Sequence, residues 1–82
     1  MKIWVKFVAK DLTEGLTNGD YEVAEGATVL DVIRTCENVC GVTLPPDRYK
    51  DFQYILNDKA AQGYTPVPDG ARLYVLHAVL GG

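Results

Sequence analysis

Few of the 82 residues have side chains that do chemistry on their own, and those few are scattered along the chain. The one histidine, His77, has no cysteine or serine near it in sequence to form a nucleophile pair, and it reads first as an exposed side chain. Cys36 and Cys40 are spaced Cys-x-x-x-Cys rather than Cys-x-x-Cys, and no second pair completes a zinc site. On a helix both thiols would share one side and serve as packing groups, since free cysteine is among the most buried residue types. A redox or metal role is the competing reading. Asp47, Asp51, Asp58 and Asp69 fall in segments that read as loops, where aspartate forms turns and keeps the chain soluble. There is no glycine-rich phosphate loop, and no arrangement that argues for general acid–base work.

What remains is the end of the sequence, His77-Ala78-Val79-Leu80-Gly81-Gly82. A Gly-Gly ending arises by chance in about one chain in two hundred at average glycine usage, so its force comes from its position directly after a last strand. Two residues without Cβ atoms can pass through a channel too narrow for a side chain, giving a partner enzyme access to the Gly82 carboxylate. A carboxylate is a poor electrophile and must first be activated, for example as a mixed anhydride with AMP. A sulfur nucleophile can then displace AMP and leave a thiocarboxylate, itself nucleophilic at neutral pH. On this basis Gly82 and Gly81 are the candidate sulfur-carrying terminus, with Val79 and Leu80 in the tail behind them.

Composition narrows the alternatives. The length suits one thin-cored domain and has no room for separate cofactor and substrate domains, which favours a binding or carrier module. A hydrophobic share of 48% with 23% charged residues argues against disorder. The net charge of −3 and the scattered lysines and arginines offer no basic stripe for phosphates, so nucleic acid is not expected as a partner. A basic patch on a protein partner is the better match. No apolar run approaches the length of a membrane helix, and Met1 to Lys10 alternates instead of forming a signal-peptide core. The expectation is a cytoplasmic protein that does not engage a membrane.

The elements that would hold the tail follow from periodicity. Residues Lys2 to Ala9 alternate, with Ile3, Val5, Phe7 and Ala9 on one side and Lys2, Trp4, Lys6 and Val8 on the other, as in a strand. A glycine-containing loop leads through Asn18-Gly19 to a second strand over Asp20 to Glu25, with Tyr21 and Val23 facing the same way. Thr28 and Asp31 form a capping pattern before a helix whose apolar stripe is Val29, Val32, Ile33, Cys36, Val39 and Cys40. Gly41 stops it, and Asp31, Arg34, Glu37 and Asn38 fill its outer face. Residues 42–51 read as irregular because Pro45-Pro46 forbids a continuing helix. Phe52 to Leu56 is a strand, Ala60 to Gln62 a short return strand, and Arg72 to Leu76 the last strand, with Leu73 and Val75 inward. One helix covers one face of such a sheet and leaves the other open. The expected fold is α+β, a β-grasp with a mixed four- to five-stranded sheet packed on one main helix. Residues 1–76 form the domain and 77–82 a flexible tail.

Three segments resemble the ThiS/MoaD family of ubiquitin-like sulfur carriers, which comprises the thiamine-pathway carrier and the small subunit of molybdopterin synthase. They are Glu25-Gly26-Ala27-Thr28-Val29-Leu30-Asp31-Val32-Ile33, Pro68-Asp69-Gly70-Ala71-Arg72-Leu73, and Val75-Leu76-His77-Ala78-Val79-Leu80-Gly81-Gly82. The resemblance covers essentially the whole chain, and only the Gly-Gly ending is specific to function. It implies a non-enzymatic protein that binds no cofactor itself. Gly82 would be adenylated by an E1-like activating enzyme using ATP, then converted to the thiocarboxylate. A synthase large subunit is a further implied partner. His77-Ala78-Val79 is closer to the thiamine carrier, whereas the length and the long first loop are closer to the molybdopterin branch. Residues 42–51 match neither.

Trp4, Tyr74 and Leu76 are candidates for an apolar partner-binding patch on the face away from the helix, with His77 beside the tail as a fourth candidate. The competing placement packs Trp4 under residues 42–51 or 63–70, or shifts the strand register by one. Two other functions stay open: a ubiquitin-like modifier joined to target lysines through Gly82, and a β-grasp interaction module with incidental glycines.

Overall fold

The computed structural model describes residues 1–78. The chain runs through β1 (Lys2–Phe7), β2 (Gly19–Glu22), α1 (Val29–Cys40), a 3-10 helix (Pro46–Asp51), β3 (Phe52–Leu56), β4 (Lys59–Ala61) and β5 (Arg72–His77). The strands form one five-stranded sheet in the order β2-β1-β5-β3-β4. Only β1 and β5 run parallel, so the sheet is mixed. This is the α+β layout expected from the sequence.

Alternation decides which face is buried. Ile3, Val5 and Phe7 of β1, and Leu73 and Val75 of β5, are at most 1% exposed. They meet Val29, Val32, Ile33 and Cys36 of α1, with Phe52, Tyr54 and Leu56 of β3 completing the core. The helix begins where its cap dictates. The Asp31 amide donates to the Thr28 hydroxyl at 3.3 Å, and the Thr28 amide donates to the Asp31 carboxylate at 2.9 Å. It ends at Gly41, whose left-handed φ of 69° a side chain would resist.

Several boundaries differ from the sequence expectation, each for a local reason. β1 stops at Phe7 rather than Ala9, because the amides of Val8 and Ala9 both donate to the single carbonyl of Val75, which breaks the ladder. β2 covers four residues, although the Val23 amide still donates to the Met1 carbonyl at 2.8 Å and Val23 stays buried. β4 is Lys59–Ala61, one residue earlier than expected. It follows a two-residue turn in which Asn57 and Asp58 adopt φ of 49° and 68°, as a type I′ hairpin requires.

The largest departures concern the helix and what covers it. Val39, expected in the core stripe, is 69% exposed, whereas Glu37, expected on the outer face, is buried. Residues 42–51 are not irregular throughout: Pro46 opens the 3-10 helix, where its missing N–H costs nothing. This segment closes over the Glu37 side of α1 and leaves the Val39 side open. Glu37 accepts from the Leu44 amide at 2.5 Å and from the Tyr49 hydroxyl at 2.6 Å, which satisfies its buried carboxylate.

Candidate functional site

The open face of the sheet is built by the residues that alternate with the core set. In register, Trp4 lies opposite Arg72, Lys6 opposite Tyr74, Tyr74 opposite Ile55, and Leu76 opposite Gln53. Trp4 and Tyr74 pack edge to face with ring centroids 5.8 Å apart, and the Arg72 guanidinium sits 4.8 Å from the Trp4 ring centroid. Trp4, Tyr74, Leu76 and Ile55 are all half-buried. Trp4 therefore stands on the open face beside Tyr74, and residues 42–51 lie against Glu37 on the helix side. The expected trio does share one face. Arg72 and Ile55 join it, and both were legible from strand parity alone.

His77 does not belong to that patch. It continues β5 one residue beyond the expected Leu76, pairs with Phe52, and shares the parity of Leu73 and Val75. Its exposed Nε2 lies 2.7 Å from Asp11 Oδ1, in the loop that follows β1. On the other flank, the Ala78 amide donates to the Asp51 carbonyl at 2.7 Å. The last described rung of β5 is thus held from both sides. Asp11 had no sequence signal, since its partner is 66 positions away. Val79, Leu80, Gly81 and Gly82 lie outside the described residues.

The cysteines have packing surroundings. Cys36 is fully buried, and burial followed by the neighbouring Cys40 pushes its thiol up to about 12, where it holds its proton. Cys40 is half-buried, with Sγ 3.4 Å from the Tyr21 hydroxyl and 3.6 Å from the Thr17 hydroxyl. The Tyr21 hydroxyl also donates to the Thr17 carbonyl. Burial pushes Tyr21 itself up to about 12. Among the described residues, no group of three or more His, Cys, Asp or Glu side chains could hold a metal ion. Nor is any helix among them long and apolar enough to cross a membrane.

The groove between α1 and the 3-10 helix, about 380 Å³, is lined by Leu30, Arg34, Glu37, Leu44 and Tyr49 among others. Its carboxylate is already engaged by Leu44 and Tyr49. The arrangement offers a half-buried aromatic and aliphatic cluster on the open side of the sheet and a strand end held on both flanks, after which the sequence continues to the glycines.

No family model matches the chain, and no curated protein matches it by sequence. Its likeness is to solved structures. SAMP1 from Haloferax volcanii, also described as small archaeal modifier protein 1, superposes with a TM-score of 0.75 at 22% identity over 100% of both chains. A putative molybdopterin converting factor, subunit 1, from Pyrococcus furiosus gives 0.68 at 20% identity, covering 96% of this chain and 99% of that one. A ubiquitin-like protein from Caldiarchaeum subterraneum gives 0.51 at 22% identity over 99% and 100%. These likenesses show the fold: the chain is a ubiquitin-like β-grasp.

Proposed function

We propose that the chain is a sulfur carrier: its Gly82 carboxylate is adenylated by an ATP-dependent E1-like partner, and the adenylate is converted to a thiocarboxylate that donates sulfur in cofactor biosynthesis. The observation that carries this proposal is the course of β5, the middle strand of the sheet, which is paired on both sides and runs toward Gly81-Gly82. The likeness to a protein described as a molybdopterin converting factor subunit supports it. In the first step the carboxylate oxygen attacks the α-phosphorus of ATP and pyrophosphate leaves. In the second a sulfur nucleophile attacks the activated carbonyl and AMP leaves. The ATP belongs to the partner, and this chain supplies the terminus and the surface that the partner reads. Trp4, Tyr74 and Leu76, with Arg72 beside them, are the contact residues we assign to that surface.

A sulfur carrier requires a free carboxylate on Gly82. The test is intact mass of the protein from its source, then again after incubation with ATP, an E1-like enzyme and a sulfur donor. A shift equal to one oxygen replaced by sulfur, localised to Gly82, is expected. No shift with a folded protein and an active partner refutes the proposal.

The likeness to a protein described as a modifier favours a second function, attachment to target lysines through Gly82. The two share chemistry up to the adenylate. High-mass conjugates that disappear on removing Gly82 would mark the modifier, and a sulfurated small-molecule product would mark the carrier.

A further inference from the structure

We infer that Asp11 is a positioning residue: through its contact with His77 it clasps the end of β5 and fixes the point from which the chain continues toward the terminal glycines. The inference rests on the sulfur-carrier or modifier chemistry only where it concerns enzyme kinetics; the clasp itself is a property of the isolated protein.

The geometry is specific to this one rung. β1 has already left the ladder when β5 reaches His77, because Val8 and Ala9 both spend their amides on the Val75 carbonyl. At Leu76 and His77 the β1 side of β5 has no backbone partner in register. The contact between Asp11 Oδ1 and His77 Nε2 at 2.7 Å replaces that missing ladder with a side-chain bond. The opposite flank still has backbone pairing, with His77 opposite Phe52 and the Ala78 amide on the Asp51 carbonyl at 2.7 Å. Without Asp11 the last rung is held on one side only. The loop that brings Asp11 there is itself secured. The Thr13 hydroxyl donates to the Ala9 carbonyl at 2.9 Å, and the Arg48 guanidinium donates to the Leu12 carbonyl at 3.2 Å. The loop therefore presents Asp11 from fixed points on either side of it.

A partner that must bring a terminal carboxylate into its own site gains when the strand end that precedes the terminus is set beforehand, because less freedom is lost on binding. Asp11 would act on encounter with the partner and not on the bond-making step. His77 then serves the terminus through Asp11, in place of the direct partner contact expected from sequence.

The contact is exposed, with side chains 54% and 69% accessible, so its effect is small and measurable, about two- to five-fold. The experiment compares the full-length protein with Asp11→Ala and Asp11→Glu. The first readout needs no enzyme: amide hydrogen exchange at Ala78, which follows local opening of that rung. Asp11→Ala should speed it by about two- to five-fold, Asp11→Glu should restore much of the protection, and amides in the middle of β5 should not change. Unchanged Ala78 exchange in Asp11→Ala overturns the clasp. The second readout is ATP–pyrophosphate exchange with the E1-like partner, where Asp11→Ala should raise KM for the carrier by a similar factor and leave kcat unaltered. An unchanged KM, or a loss confined to kcat, overturns the positioning role. If the wild-type protein supports no pyrophosphate exchange with an active partner, the proposed function fails, and Ala78 exchange still decides the clasp.

Discussion

Glu37 is the side chain whose removal should most disturb the packing of the 3-10 helix and its lead-in against α1. It is 9% exposed and accepts two hydrogen bonds, one from a backbone amide and one from a phenol. A hydrogen bond to a charged group contributes roughly 1.5–3 kcal/mol, and an orphaned buried donor adds its own penalty. Glu37→Ala leaves both the Leu44 amide and the Tyr49 hydroxyl without an acceptor. The groove beside them admits water that replaces part of what is lost. The net cost should be about 3 kcal/mol, set against a total of roughly 4–12 kcal/mol for a domain of this size. At about 4–8 °C per kcal/mol, Tm should fall by roughly 12–24 °C.

Glu37→Gln separates geometry from charge. Its oxygen can accept from Leu44 while its NH2 donates to the Tyr49 oxygen, so the loss should be only about 1 kcal/mol. Tyr49 provides an internal check. Burial first, and the Glu37 carboxylate second, push its phenol above the ordinary range. A phenol raised in the folded state stabilises the fold below its unfolded pKa of about 10, and that contribution is lost as pH rises through the folded value. Tyr21 and Tyr54, each pushed up to about 12 by burial, contribute in the same direction. Tyr49→Phe should therefore weaken, without abolishing, the alkaline loss of stability. The assays are urea and thermal unfolding at pH 7, and phenolate absorbance for Tyr49 in Glu37→Gln, where its titration should move to lower pH. A Glu37→Ala protein within about 0.5 kcal/mol of wild type would refute the hydrogen-bond accounting.

Thr28→Ala should destabilise the protein by about 1 kcal/mol in urea unfolding, the usual cost of losing an N-cap. The amide and hydroxyl of Thr28 hold the Asp31 carboxyl below its ordinary value. Its contribution is therefore present above about pH 4 and lost as pH falls through the lowered folded value. Wild type and Asp31→Asn should converge in stability on acidification, as unfolding curves between pH 6 and about pH 2 would show. Trp4→Ser removes the contacts with Tyr74 and Arg72 and should cost about 1–2 kcal/mol of stability. It should also weaken binding to the proposed activating enzyme by about 2 kcal/mol in calorimetry, as loss of a central aromatic anchor does. Gly81→Val should abolish activation in pyrophosphate exchange without altering Tm; equal activation would refute the narrow-channel argument.

Features set by neighbours in sequence were legible in it. The alternation of Ile3, Val5 and Phe7 assigned the core face of β1, and with it the opposite placement of Trp4. Thr28 and Asp31 marked the helix start to the residue, because both partners of that cap lie within one turn. Contacts between distant segments were not legible. A glutamate at position 37 of an amphipathic helix reads as solvent-facing until Leu44 and Tyr49 fold back onto it, and Val39 reads as core until that same segment passes it by. The Asp11–His77 contact joins two polar residues from loop and strand end, with no periodicity to announce it. The Gly-Gly ending was conspicuous in the sequence, yet the chemistry we propose for it depends on a partner whose shape this chain does not encode.

The position of β5 gives the remaining physical argument for a terminus that is handled by another protein. An edge strand has one neighbour, and a pull on its end peels bonds one at a time. β5 has two neighbours, parallel β1 and antiparallel β3, and its inward residues Leu73 and Val75 are fully buried. A force along residues beyond Ala78 therefore loads several bonds on each flank together, and must also drag Leu73 and Val75 out of the core. Each of these side chains contributes roughly 1.5–3 kcal/mol of burial. The parallel pairing to β1 is available only because α1 crosses between the two halves of the sheet, and α1 in turn seals the inward face. The crossover that builds the core is thus also what puts the last strand at the centre, so the partner we propose could draw on the terminus while the domain stays folded.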